Sequence, residues 1–184
     1  MSMIVILRGP CSVGKTATAY ALAELMPDSA YLQGDGWPWL SDRTLATLRE
    51  RSMREGGRFF NSWLAASAGV IVEHGLHAIV DWMFTKDADL RDLLGRLDGL
   101  AQPVHVFNLR VDPEEHLRRD AGRPAEERIG EGGVTYFQTE DESGDSTLGS
   151  AIDTTRLSPK EVAAAILRQV GENGSAIGAD LQAS

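Results

Sequence analysis

The residues best placed to do chemistry begin with Gly9-Pro10-Cys11-Ser12-Val13-Gly14-Lys15-Thr16, which fits G-x-x-x-x-G-K-[ST]. In that pattern successive backbone N–H groups, backed by a helix N-terminus, form an anion cradle. All eight residues are therefore candidates for binding a nucleoside triphosphate. Lys15 is the candidate to reach the β- and γ-phosphates, and the Thr16 hydroxyl is the candidate Mg²⁺ ligand. Two carboxylates follow, Asp35 after Gly34 and Asp81 before Trp82. A carboxylate within hydrogen-bond reach can take the proton of an attacking hydroxyl, which makes Asp35 a candidate general base. An aspartate in such a turn can equally cap the next helix. Asp81 can serve Mg²⁺, bind a second substrate or orient the loop. Further on lie Arg118, Arg119, Arg123 and Arg128. Arginines on a closing segment can stabilise transition-state charge and exclude water.

These groups need a scaffold. The apolar run at 3–7 reads as a buried parallel strand, and 16–26 as the helix that must follow the loop. Short strands are expected at 30–32, 78–81, 104–111 and 150–153. Helices are expected around 42–53, 58–73 and 87–97, from Asp112-Pro113 onward, and from Ser158-Pro159-Lys160-Glu161, whose Ser and Glu make a capping box. Alternating strands and helices give an α/β fold with a five-stranded parallel sheet covered on both faces. The stretch 130–149 is glycine-rich, polar and acidic and reads as a loosely structured segment with a helical stretch near 134–138. Residues 171–184 read as a frayed tail.

The chain has 184 residues, enough for one domain with a full core. Its net charge of −9 argues against a nucleic-acid-binding surface. The single cysteine, Cys11, rules out an internal disulfide framework, and His74, His77, His105 and His116 show no metal-ligand spacing. With no signal-like start and no bilayer-length apolar run, a cytoplasmic location without membrane association is expected. A guanine-reading Asn/Thr-Lys-x-Asp motif is absent, which speaks against a signalling GTPase.

The phosphate loop, the Gly34-Asp35 turn, the strand-ending Asp81, the arginine segment and the closing Ile152-Asp153-Thr154-Thr155…Ser158-Pro159…Val162 together resemble the small P-loop kinases of the nucleoside-monophosphate-kinase-like group. Within that group the chain is similar to chloramphenicol phosphotransferase and related antibiotic-modifying kinases, over about residues 3 to 170. The resemblance implies a single kinase domain over 1–170 with a lid at about 118–135. It also implies ATP or GTP as donor and Mg²⁺. Asp35 would be the base, assisted by Lys15, Arg123 and Arg128. Arg119 and Arg123 resemble arginines that stack on the base or touch phosphate, and the turn at Thr155 and Arg156 would line the base. In this group the interval between the second and third strands surrounds the acceptor. Here that interval and its end carry Trp37, Trp39, Phe59, Phe60, Trp63, Trp82 and Phe84, which implies an acceptor held by apolar faces beside Asp35 and Asp81. On a helix, core filling is the competing role for Phe60 and Trp63.

The expected function is transfer of a γ-phosphate to a hydroxyl of a small, partly apolar molecule, with an antibiotic as the favoured acceptor. A metabolic nucleoside, nucleotide or sugar kinase is the alternative. Arg49, Arg51, Arg54 and Arg58 lie where a phosphate-bearing acceptor would need cations. A drug-binding protein without turnover is the alternative from another class. Oligomeric state is not legible.

Overall fold

In the computed structural model, residues 2–34, 41, 43, 44, 46–48, 50 and 57–173 are described. Asp35, Trp37, Trp39, Arg49, Arg51, Arg54 and the segment from residue 174 onward lie outside them. The elements in order are β1 (Ile4–Arg8), α1 (Lys15–Leu25), β2 (Ser29–Gln33), α2 (Arg58–Glu73), β3 (His77–Asp81), α3 (Asp87–Leu97), β4 (Val104–Arg110), α4 (Pro113–Ala121), α5 (Gly130–Glu140), β5 (Ser150–Asp153) and α6 (Pro159–Asn173). Within the expected helix at 42–53, the described residues 43, 44, 46–48 and 50 are helical. The five strands form one parallel sheet in the order β2-β3-β1-β4-β5.

β1 is central and fully buried, and its alternation feeds both faces of the sheet. Val5 and Leu7 pack with Ala19 and Leu22 of α1 and Val162 and Ile166 of α6. Ile4 and Ile6 pack with Leu64, Ala68 and Val72 of α2 and Leu90, Leu93 and Leu97 of α3. Each such side chain contributes roughly 1.5–3 kcal/mol of burial. The carboxyl ends of β1 and β3 therefore open side by side at the order reversal of the sheet, where open α/β sheets form their crevice.

The expected caps form. Asp112 accepts from the Glu115 N–H at 2.8 Å with Pro113 in the first turn, and Ser158 and Glu161 bond reciprocally. The 130–149 stretch departs from expectation. Most of it is regular: α5 spans Gly130–Glu140 and a 3-10 turn spans Glu142–Gly144. The cause is a buried carboxylate on α4. Asp120 accepts from the N–H groups of Ile129 and Gly130 at 3.1 and 2.9 Å, capping a glycine-rich helix from outside its own sequence. Val134 then buries against the body of the domain. The acidic residues after α5 serve α3. Glu142 accepts from the Asp87 N–H at 2.7 Å, and the Lys86 ammonium donates to the Glu140 carbonyl at 2.9 Å. Negative charge at a helix N-terminus is favourable, so this acidity belongs to α3.

Candidate active site

The phosphate loop leaves β1 through Gly9, whose φ is +149°. A Cβ there would stand 2.5 Å from the Leu109 carbonyl oxygen, so only glycine passes so close to β4. Lys15, almost fully buried, folds back and donates to the carbonyls of Gly9 at 2.9 Å and Pro10 at 2.8 Å. Thr16 opens α1 and donates its hydroxyl proton to Asp81 Oδ2 at 2.8 Å, and the Tyr31 hydroxyl donates to the same oxygen at 2.8 Å. Burial and then the Asp81 charge push the Tyr31 phenol far up from its ordinary range, so it stays a donor. The three elements α1, β2 and β3 thus converge on one carboxylate.

The other side of the loop is held by α4. Arg119 donates to the Val13 carbonyl at 2.7 Å, to the Thr154 carbonyl at 2.6 Å and to Glu115 at 2.7 Å. These bonds join the loop to the turn after β5. Hydrogen bonds from Arg118 and Arg119 pull the Glu115 carboxyl down to about 2. Arg123 donates to the Ser12 hydroxyl at 3.2 Å, and Ser12 donates to Asp120 at 2.9 Å. Burial pushes the Asp120 carboxyl up, but the Ile129 and Gly130 N–H groups and Ser12 hold it below the usual range. His116, fully buried, donates from Nε2 to the Cys11 carbonyl at 2.6 Å and accepts at Nδ1 from Gln138 of α5 at 3.0 Å. Burial keeps this imidazole neutral by lowering its pKa.

Two clefts meet at Gly14 and Arg119. The smaller, about 470 Å³, lies between α4 and the β5–α6 turn and is lined by Val13, Thr154, Thr155, Arg156 and Pro159 among others. The larger, about 1230 Å³, runs from Lys15, Thr16 and Arg123 across Asp81 to Gln33, Phe60, Trp82, Met83 and Asp89. The Phe60 and Trp82 rings lie 5.3 Å apart there. Gly34 donates its N–H to the Asp81 carbonyl at 2.8 Å, and a Cβ on it would stand 2.1 Å from the Trp82 ring. That close approach is the physical demand behind the glycine of the Gly34-Asp35 turn.

Lys15, Thr16, Asp81, Trp82, Arg119 and Arg123 are thus brought around one cleft, with Thr155 and Arg156 at its smaller neighbour. Arg128 lines neither; it donates to the Arg123 carbonyl at 2.7 Å. Among the aromatic residues the assignments shift. Phe84, expected against the acceptor, is fully buried among Leu64, Leu90 and Leu93, because its peptide lies on the Arg8 side of the turn, where its carbonyl accepts from the Arg8 guanidinium. Trp63 packs against the same core, and Phe59 meets Phe60 edge to face without lining the larger cleft. Phe60 borders that cleft although its side chain is almost fully buried.

Sequence reasoning passed over Arg8 and Asp89. Arg8 ends β1 with its side chain fully buried and pairs with Asp87 at 2.6 Å. Burial raises the Asp87 carboxyl, but hydrogen bonds from Arg8 and Ser146 and the Arg8 charge bring it below its ordinary value. Asp89 lies in the first turn of α3, where an acidic residue is an ordinary helix-start signal, so spacing alone does not single it out.

A five-stranded parallel sheet of order 2-3-1-4-5, with a lysine-bearing phosphate loop at its crevice, defines a P-loop kinase fold. The chain belongs to the chloramphenicol phosphotransferase-like family, whose model matches residues 2–171, and it is accordingly a small-molecule kinase. In fold it is similar to a sugar kinase from Janibacter sp. (16% identity, 91% of this chain and 94% of that one, TM-score 0.68). It is also similar to the tunicamycin resistance protein of Deinococcus radiodurans (21% identity, 92% and 96%, TM-score 0.66). A third such structure is a gluconokinase from Sinorhizobium meliloti (18% identity, 100% and 98%, TM-score 0.63). No curated protein matches the chain in sequence. Among the described residues no helix is long and apolar enough to cross a membrane.

Proposed function

We propose that the protein transfers the γ-phosphate of ATP or GTP to a hydroxyl of a small, partly apolar acceptor, with an antibiotic favoured and protection against it as the role. The observation that carries this reading is the single 1230 Å³ cleft that joins Lys15 and Thr16 to an aromatic wall of Phe60 and Trp82. Donor and acceptor can lie in it end to end.

The chain's own groups divide the work. The loop N–H groups and Lys15 bind the phosphates, Lys15 exchanging two carbonyl partners for phosphate oxygens. Arg123, at the mouth of the loop on Ser12, is positioned for charge that develops on the moving phosphoryl group. Asp35, which follows Gln33 and Gly34 in the chain, takes the acceptor proton as the hydroxyl oxygen bonds to phosphorus and the bond to the nucleoside diphosphate breaks. Arg119 keeps the smaller cleft beside Thr155 and Arg156 shaped for the base. Arg128 acts through Arg123, whose carbonyl it holds.

A magnesium site fits the residues present. Thr16 gives its proton to Asp81, which leaves a hydroxyl lone pair for a cation, and the Asp81 carboxylate stands behind it. Mg²⁺ held there by Thr16 and Asp81 would supply charge neutralisation for the phosphates.

The test is a screen of hydroxylated antibiotics, nucleosides and sugars with ATP and with GTP, read by mass for one added phosphate group. Asp35→Asn is expected to lower transfer at least 100-fold while nucleotide affinity holds within about twofold. Transfer at the parental rate by that variant would refute the base, and nucleotide binding with no modified acceptor would refute the antibiotic-kinase reading. A sugar acceptor is the second reading, favoured by the carboxylates that line the acceptor end of the cleft.

A further inference from the structure

The proposed acceptor end of the cleft carries a carboxylate, Asp89, that the α3 N-terminus and the nearby Arg8 charge favour but that no donor of the described residues hydrogen-bonds. Asp89 lines that end with Gln33, Gly57, Phe60, Trp82 and Met83. Among the described residues its side chain has no hydrogen bond and no ion pair within 4 Å, although its backbone carbonyl accepts from Asn61 at 2.9 Å. Asn61, itself buried, also donates to Asp92 at 2.9 Å, and Asp87 is pinned by Arg8. The first turn of α3 is therefore fixed from α2 and from β1, and the Asp89 carboxylate is held at the cleft wall by rigid elements. Partial burial and then the Asp92 charge raise its pKa above the ordinary value. The cations that line this cleft among the described residues are Lys15 of the phosphate loop and Arg119 and Arg123, which bond to it; Arg8, outside the lining, is the cation whose charge acts on Asp89.

A partly desolvated carboxylate that lacks donors binds them from a ligand, and it repels a second anion. We infer that Asp89 is a specificity-determining residue for the acceptor: it accepts hydrogen bonds from acceptor hydroxyl or N–H groups and selects against acceptors that carry carboxylate or phosphate. The inference rests on the proposed reading of this cleft as the acceptor site. It goes beyond that reading in naming the charge class of the acceptor and the residue that enforces it.

Calorimetric titrations of the full chain, with a non-hydrolysable ATP analogue and Mg²⁺ present, test it. Chloramphenicol and tunicamycin serve as uncharged hydroxylated probes, and gluconate and shikimate as hydroxylated carboxylates. The parent is expected to bind at least one uncharged probe and to bind both carboxylates at least tenfold more weakly. Asp89→Asn should weaken the uncharged probe about 10- to 100-fold, narrow the gap to the carboxylates, and leave affinity for the ATP analogue within twofold. Asp89→Ser is the second variant should the first not fold. Parental affinity in a folded variant, carboxylates that bind the parent as tightly as the uncharged probes, or no binding of either uncharged probe overturns the inference. Incubation with ATP separates the two readings: a probe that binds through Asp89 and gains no phosphate counts against the proposed acceptor reading and upholds Asp89 as a residue of the binding wall.

Discussion

The two ends of the larger cleft are built on opposite plans. At the phosphate loop nearly every polar side chain is already engaged: Lys15 on two carbonyls, Arg119 on Val13, Thr154 and Glu115, Ser12 between Arg123 and Asp120. At the Asp89 end, proposed for the acceptor, the packing is as firm, with Phe60 against Trp82 and Asn61 across two helices, yet Asp89 is left with open capacity. A site for a constant partner can close upon itself and exchange bonds when the partner arrives. A site that chooses its partner has to leave some bonds unmade, since those are what a wrong molecule fails to satisfy.

The contrast can be broken at the donor end first. Lys15→Met is expected to lower the turnover number about 100- to 1,000-fold with little change in acceptor KM, measured by steady-state kinetics. A comparable rise in acceptor KM would mean that the ends are not separate. Next, Gly34→Ala places a methyl group where the Trp82 ring now lies, and overpacking of this kind costs about 1–3 kcal/mol. Its effect should fall on the acceptor end: KM for the acceptor rises about tenfold, while ATP affinity, titrated separately, stays within twofold.

The smallest effect concerns pH. The His116 pKa is lowered by burial from an ordinary 6.5, so the unfolded chain takes up that proton first as pH falls. The stabilisation is complete above about pH 6.5 and is lost below it, toward the depressed folded value. His105, buried and shifted the same way, adds to the trend. Thermal melts should drop by at most a few degrees between pH 7 and 5.5, and His116→Gln should flatten that slope.

The same contrast explains how far the sequence can be read. The phosphate loop is eight consecutive residues, and its glycines, its lysine and the following helix are dictated by backbone geometry. The Asp112-Pro113 start and the Ser158–Glu161 box are equally local. The wall proposed for the acceptor is assembled from β2, α2, β3 and α3, which no spacing relates. A run of aromatic residues therefore did not say which side chains line the cleft: Trp82 does, Phe60 borders it while almost fully buried, and Phe84 is in the core. Residues 130–149 read as loose because glycine and acid disfavour a helix, and the Asp120 cap that makes α5 lies outside them. Arg8 stayed hidden because a charge at the end of an apolar strand does not announce a partner nearly eighty residues away.

That buried pair, Arg8 with Asp87, also works as a ruler. Arg8 directly precedes Gly9 of the loop, and Asp87 stands two residues before Asp89. The spacing between the phosphate loop and the first turn of α3 is therefore set by one fully buried guanidinium and one partly buried carboxylate. Under the proposed reading of the cleft, that fixed spacing would sort acceptors by length as well as by charge.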